Sequence, residues 1–328
     1  MIISVTERGS FKRCRQQWEY GSLQRQSITA IAGPVALSIG TLIHRSHEEW
    51  LLNHDEGAEQ ATLKAVALEL NALKERYKKV VGVEPDDREL SRFMDSASLV
   101  LAMMKNYEEK WGASLPEGFT LVQPEQTFII PIPNTEHVCW TCSDHGLGMI
   151  VKVNHECVEC NGNPYKVPHY LEGTLDALMR DEGGRLWVLE RKTFGQHPKI
   201  DSLNRNDQFL AYLWILQQLG MGDVGGLYYD GMWKRDGSKH SLDELFLRTP
   251  LQRAPEELAN FSVQVRDEVT DMANPDLRIY RNIPWQGCWD CQFEPLCTAE
   301  FRGEDAAHIR ANRYMTRERE DGLGEATD

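Results

Sequence analysis

Gly173-Thr-Leu-Asp176-Ala-Leu-Met-Arg180-Asp-Glu-Gly-Gly184-Arg-Leu-Trp-Val188-Leu-Glu190-Arg-Lys192-Thr193 is the stretch that decides the fold. Two apolar-rich runs, 173–180 and 186–193, flank Asp181-Glu-Gly-Gly184, a turn with glycine available for a left-handed position, so the segment reads as a β-hairpin. Alternation puts Glu190 and Lys192 on one face with Leu186 and Val188, and Asp176 with Thr174 and Leu178. A three-residue loop, Glu182-Gly-Gly184, sets Asp176 opposite Glu190. Two facing carboxylates repel and weaken a hairpin. A hard divalent cation removes the conflict, since Mg²⁺ takes one or two carboxylates together with water and phosphate oxygens. Lys192 alongside would orient a water or offset charge building on a phosphate. A surface hairpin with solvated Glu190 and Lys192 fits the same residues, and the hairpin alone does not choose.

Upstream, Ala36–Asn53, Glu59–Val80 and Arg88–Trp111 carry apolar residues at three- and four-residue spacing and read as helices. Thr120–Ile132 reads as a strand, and Val138–Pro164 as a cysteine-rich insertion. Downstream come an amphipathic helix at Asp207–Leu219, a strand at Val224–Tyr229 and a mostly helical Thr249–Asn274. Six parts follow: an N-terminal segment (1–32), a helical region with the first core strand (33–137), the insertion (138–165), the core (166–245), a C-terminal helix with cysteines (246–302) and a charged tail (303–328).

Composition narrows the function. The 328 residues are 41% apolar and 26% charged, ordinary for a globular protein with a sizeable core. No window approaches a membrane span, and Met1–Ser10 breaks into charge before a signal-peptide core forms, which reads as a cytoplasmic chain. A net charge of −14 disfavours a loose nucleic-acid coat protein but allows an enzyme with a local basic channel. Residues 1–30 hold such an excess, with Arg8, Lys12, Arg13, Arg15 and Arg25 against Glu7 and Glu19. The Gly-x-x-x-x-Gly-Lys-Ser/Thr loop, the Gly-x-Ser-x-Gly elbow and His-Glu-x-x-His are absent, against a nucleotide-driven motor, a serine hydrolase or a zinc protease.

Further residues join the hairpin. Gln208 and Tyr212 share one face of their helix, Gly40-Thr-Leu-Ile-His44 sets a glycine one turn before a histidine, and Glu125 lies on a strand expected beside the hairpin. Taken singly, His44 also reads as a core or capping histidine and Tyr212 as core. In order, Gly-x-x-x-His, Gly-x-x-Asp, Glu-x-Lys and Gln-x-x-x-Tyr resemble the PD-(D/E)xK nuclease superfamily, in particular its RecB-type branch. The resemblance spans residues 33–230 and implies an α/β restriction-endonuclease-like core of helix, three-strand antiparallel meander, helix and strand. It implies Mg²⁺- or Mn²⁺-dependent hydrolysis of DNA. Asp176, Glu190, His44 and the backbone carbonyl of Arg191 would hold the metal, with Lys192 positioning the attacking water and Gln208 and Tyr212 steering DNA or bracing Lys192. The chain departs from the pattern in having Gly173-Thr-Leu before the metal aspartate rather than proline, and a basic Arg191 inside Glu-x-Lys, expected to point to the opposite face.

Eight cysteines without a secretion signal argue for metal over disulfides. Cys139-x₂-Cys142 and Cys157-x₂-Cys160 form paired knuckles that read as a Zn²⁺ ribbon. The ribbon's acidic loop suits a structural or protein-docking role more than a grip on DNA. One cysteine near the start, Cys14, and three near the end, Cys288, Cys291 and Cys297, resemble the iron–sulfur variant of RecB-type nucleases, found in recombination and CRISPR spacer-acquisition enzymes. That resemblance implies a [4Fe–4S] cluster joining the chain ends; a zinc site or unrelated thiols are the alternatives. Trp285 and Trp289 are expected to shield the cluster, and His47, Glu48 and Glu49 to lie on a solvated helix face.

The combined expectation is a metal-dependent DNA exonuclease acting on DNA ends or single strands in recombination, repair or phage DNA processing. A CRISPR spacer-acquisition nuclease, an RNA-directed nuclease and a non-catalytic iron–sulfur and zinc scaffold are the rivals. Oligomeric state is left open.

Overall fold

The computed structural model describes residues 1–32, 35–53, 55–135, 143–144, 149–150, 168–284 and 287–317. The chain opens with β1 (Ile2–Ser4), α1 (Val5–Arg13), α2 (Arg15–Gly21) and β2 (Ile28–Ala30). Three long helices follow: α3 (Val35–Leu52), α4 (Ala58–Val80) and α5 (Asp87–Trp111). Asp86 caps α5 by accepting the Glu89 N–H, and Gly112 ends it in the left-handed region at φ 67°. The core then runs β3 (Phe119–Pro131), the short β4 (Ser143–Asp144) and β5 (Met149–Ile150), β6 (Tyr170–Asp181), β7 (Leu186–Phe194), α6 (Ile200–Leu203), α7 (Asp207–Gln218) and β8 (Val224–Trp233). It closes with α8 (Leu242–Leu245), β9 (Phe246–Leu251), α9 (Pro255–Ala273), α10 (Glu294–Arg302), α11 (Ala306–Arg313) and β10 (Tyr314–Thr316).

The main sheet runs β1-β6-β7-β8-β9, with β3 antiparallel along the other edge of β6. The meander β3–β6–β7 is antiparallel, and β8 returns parallel to β7 after α7, as a crossover through a helix requires. Ala177 faces Leu189 and Arg180 faces Leu186, which leaves a three-residue loop, 182–184, with Gly184 at φ 85°. The Gly184 N–H donates to the Asp181 carbonyl at 2.9 Å and closes the turn.

The sheet is covered on both faces. One face, with Leu175, Leu178, Leu186, Val188 and Leu227, packs on Phe209, Leu213 and Ile215 of α7 and on Phe261 and Val265 of α9. Ala177, Met179, Trp187 and Leu189 lie on the other face with Leu51 of α3, beside a core that unites α3, α4 and α5. Gly173 allows the close approach of α7, since a Cβ there would stand 2.5 Å from Ile215 Cδ1. The two ends of the chain meet in a small cluster of Tyr20, Ile28, Phe293, Leu296 and Tyr314, where β10 pairs with β2.

Three local expectations are corrected. Ile2–Ser4 is a strand, parallel to the start of β6, in the N-terminal segment that was expected to stand outside the core. Phe246–Leu251 is an edge strand on β8, so the expected helix at Thr249 begins only at Pro255. Pro250 is tolerated there because β9 is an edge. Leu175 and Leu178 both pack on the α7 side while Ala177 and Met179 pack on the other, so alternation breaks at Asp176 and Thr174 does not share a face with Leu178.

Candidate active site

That break lies at a notch in the sheet. On the edge of β6 away from β3, β1 pairs with residues 170–172 and β7 with residues 177–180. Residues 173–176 have no ladder partner between them, so the backbone opens where β1 and β7 diverge. Asp176 fills part of the gap, its Oδ2 accepting the Arg191 N–H at 2.6 Å. Its Oδ1 lies 2.9 Å from His44 Nδ1 on α3. Glu190 follows the alternation of Leu186 and Val188 and is 1% exposed, with Lys192 Nζ 2.5 Å from its Oε1.

The electrostatics are those of an unfinished charge cluster. Burial would raise the Asp176 carboxyl, but His44, Lys192 and the Arg191 N–H together hold it below the usual carboxylate range. Glu190 is pushed up to about 7 by burial, with Asp176 adding to the rise against the pull of Lys192. Burial works against charge on Lys192 and on His44, yet the neighbouring carboxylates hold both above their ordinary values. Glu190 Oε1 is taken by Lys192, while Oε2, equally buried, has no partner. A buried acid with an open acceptor suits a cation. Among the described residues no three His, Cys, Asp or Glu side chains are gathered to hold a metal by themselves. A cation at the notch would therefore share two carboxylates with a peptide carbonyl, water and substrate oxygens, which is the habit of Mg²⁺.

The flanking residues are distributed as follows. On α7 the Gln208 side-chain amide donates to the Tyr212 hydroxyl at 2.7 Å. Tyr212 is buried, and burial with Glu190 nearby pushes its hydroxyl far above the usual range. Arg191 points away from Glu190 and Lys192, donating to the carbonyl and hydroxyl of Ser114 at 2.8 and 2.9 Å. Glu125, on β3, is raised first by burial, then by Glu48 and Asp176, so this acid borders the notch. Gly40 brings no chain close: a Cβ there would meet nothing within 4 Å. His47 is buried rather than solvated, bonded through Nδ1 to the Ser114 hydroxyl at 3.1 Å and packed against Tyr107. Burial, then Arg191, keeps it neutral.

Residues that the sequence reading passed over are Ser114 and Asp230. Asp230 is fully buried and lies directly beside Arg191 in the β7–β8 ladder. The signal was available as a lone acid in the apolar run Leu227-Tyr-Tyr-Asp230-Gly-Met-Trp233.

Cys14, Cys288, Cys291 and Cys297 are free thiols that line one pocket, with Arg13, Tyr20 and Phe293. Burial raises Cys291 to about 11, and Cys288 and Cys14 add to the rise, so the thiols sense one another electrostatically. Four free thiols on one pocket are a chemically suitable donor set for a cluster, although they are not drawn together to ligating distance. Trp289 does not shield them, being 74% exposed, and Trp285 lies outside the described residues. The expected zinc cysteines, Cys139, Cys142, Cys157 and Cys160, also lie outside them. Among the described residues no helix is long and apolar enough to cross a membrane.

Comparison with known proteins bears on this arrangement. No curated protein matches the chain. A solved structure described as "Crystal structure of SSO0001" is similar over 69% of this chain and 80% of its own, at 14% identity and a TM-score of 0.32. The sequence profile of the PD-(D/E)XK nuclease superfamily matches residues 2–298. The chain thus belongs to the PD-(D/E)XK nuclease superfamily, whose members point to a metal-dependent phosphodiesterase with a nucleic-acid substrate.

Proposed function

We propose that the protein is a Mg²⁺- or Mn²⁺-dependent DNA nuclease of the RecB type, acting as an exonuclease on DNA ends in recombination, repair or phage DNA processing. The observation that carries the reading is Glu190, buried beside Asp176 with Lys192 paired to Oε1 and Oε2 left without a partner. Asp176, Glu190 and the Arg191 carbonyl would hold the cation, with His44 fixing Asp176. When bound, the metal polarises the scissile phosphate and lowers the pKa of a coordinated water. Lys192 would orient the attacking water and offset charge on the phosphate, while Gln208 and Tyr212 would line the approach on α7. Open space above Gly40 leaves room for a nucleic-acid backbone.

Asp176→Ala or Lys192→Ala should lower Mn²⁺-dependent cleavage of end-labelled DNA by about a thousand-fold. Circular dichroism should show the secondary structure of the wild type, so that lost cleavage is not lost fold. Undiminished cleavage by either variant would refute the assignment, and labelled RNA in parallel separates the substrate classes. In the same reading Cys14, Cys288, Cys291 and Cys297 hold a [4Fe–4S] cluster, and Cys139, Cys142, Cys157 and Cys160 a Zn²⁺ ribbon available to a protein partner. Anaerobic purification should yield about four irons and one zinc per chain, the content of the two thiolate sets. Zinc in place of iron would contradict the cluster and leave the nuclease site standing.

A further inference from the structure

Behind the notch, on the opposite face of β7, lies a second buried charge group. Arg191 is 1% exposed and Asp230 0%, and the two are direct partners in the β7–β8 ladder, with Arg191 Nε 3.7 Å from Asp230 Oδ2. Asp230 also accepts from Arg248 Nε at 3.2 Å and from the Tyr107 hydroxyl. The Arg191 guanidinium donates to both the carbonyl and the hydroxyl of Ser114, in the segment after α5, and the same hydroxyl bonds His47 on α3. One side chain therefore ties β7 to β8, to α3 and to the end of α5.

The backbone of Arg191 faces the other way. Its N–H is the donor that orients Asp176, and its neighbours in sequence are Glu190 and Lys192. A rotation of this peptide would turn the Asp176 carboxylate and displace both flanking side chains together. We infer that the Arg191 side chain, hydrogen-bonded to Ser114 and facing the Asp230 charge, is a positioning residue that fixes the 190–192 backbone and thereby the geometry of the cation site. The inference rests on the proposed site between Asp176 and Glu190. Burying a guanidinium for stability alone is poorly favoured against an apolar side chain of similar size, which is why positional precision is the better account of it. Groups that orient the ligands of a metal change affinity by about ten- to a hundred-fold when removed.

The test is Mn²⁺ binding measured by electron paramagnetic resonance of the free ion, alongside the Mn²⁺ dependence of cleavage. Arg191→Met keeps an unbranched apolar stem as far as the position of Nε and leaves Asp230 paired with Arg248 and Tyr107. It should weaken Mn²⁺ binding by about ten-fold or more, with most of the cleavage rate recovered at saturating metal. Arg191→Lys should lie between, having charge but no planar fork for Ser114 and Asp230. Arg8→Met, which removes a buried arginine on α1 that pairs with Asp207 and Glu268 and not with Asp176 or the 190–192 backbone, should lower the melting temperature without changing Mn²⁺ affinity. Ser114→Ala, a milder change, removes one acceptor and should weaken binding by about two- to five-fold. Wild-type affinity in Arg191→Met and Ser114→Ala would overturn the inference. Absence of Mn²⁺ binding to the wild type, or binding indifferent to Asp176→Asn, would instead overturn the site on which it rests.

Discussion

The two faces of β7 carry two buried charge groups of similar size that differ in how completely the acid is satisfied. Behind the strand, Asp230 receives Arg248 and Tyr107 and faces Arg191, whose guanidinium is anchored on Ser114. In front, Glu190 has an ion pair with Lys192 at Oε1 and no partner at Oε2, and Asp176 carries its charge between His44 and a peptide N–H. Buried polar groups in folded proteins are nearly always satisfied, so an acid with both oxygens bonded reads as architecture and one with an unpartnered oxygen as a place where a cation enters. The contrast places the opening for a cation in front and the frame that shapes it behind.

Removing an acid should therefore act in opposite directions on the two faces. Asp230→Ala strands Arg191 and Arg248 in the interior and should lower unfolding stability by about 3–5 kcal/mol in urea titrations. A loss below about 1 kcal/mol would mean that water reaches this group and the contrast is false.

Glu190→Gln should do the reverse in metal-free protein. The folded-state value of about 7 stands above the ordinary carboxyl value of 4.5, so the folded chain holds a proton there that the unfolded chain releases. The penalty for a buried charge is absent below about pH 4.5, grows through this window and is complete above about 7. Melts in EDTA should show the Gln variant more stable than wild type at pH 8, by an amount on the order of a few kcal/mol, and equal to it near pH 4.5. Millimolar Mn²⁺ at pH 8 should stabilise the wild type and not the variant. A variant less stable than wild type at pH 8 in EDTA would break the comparison from the front.

Smaller effects sharpen it. Gln208→Ala removes one neutral hydrogen bond, to Tyr212, and should lower stability by about 1 kcal/mol. If Gln208 lines the substrate path, the Michaelis constant for DNA should rise while the metal dependence is unchanged. Lys110→Ala breaks an ion pair to Asp243, whose side chain is 82% exposed, and should move stability by less than about 0.5 kcal/mol.

Much of the front face was legible from sequence. Turn chemistry at Asp181–Gly184 sets the register that leads Asp176 toward Glu190, and alternation along β7 puts Arg191 on the face away from Glu190. The long helices α3, α4 and α5 followed from periodicity because each exceeds fifteen residues. The back face was not legible, since the partners of Arg191 come from Ser114 and Asp230, at 77 and 39 positions' remove, and no local pattern joins them. The break in alternation at Asp176 was also hidden. It arises because β1 and β7 take separate parts of one edge of β6, and a three-residue strand such as Ile2–Ser4 has no periodicity of its own. His47 was misplaced on a solvated face because the aromatic ring that covers it, Tyr107, belongs to α5.

The most direct measurement is a crystal grown or soaked with Mn²⁺ and recorded at a wavelength where manganese scatters anomalously. The account predicts a peak between the carboxylates of Asp176 and Glu190, within coordination distance of both and of the Arg191 carbonyl, with Lys192 beside it. Manganese bound elsewhere, or Asp176 and Glu190 turned apart with no density between them at saturating metal, would contradict it.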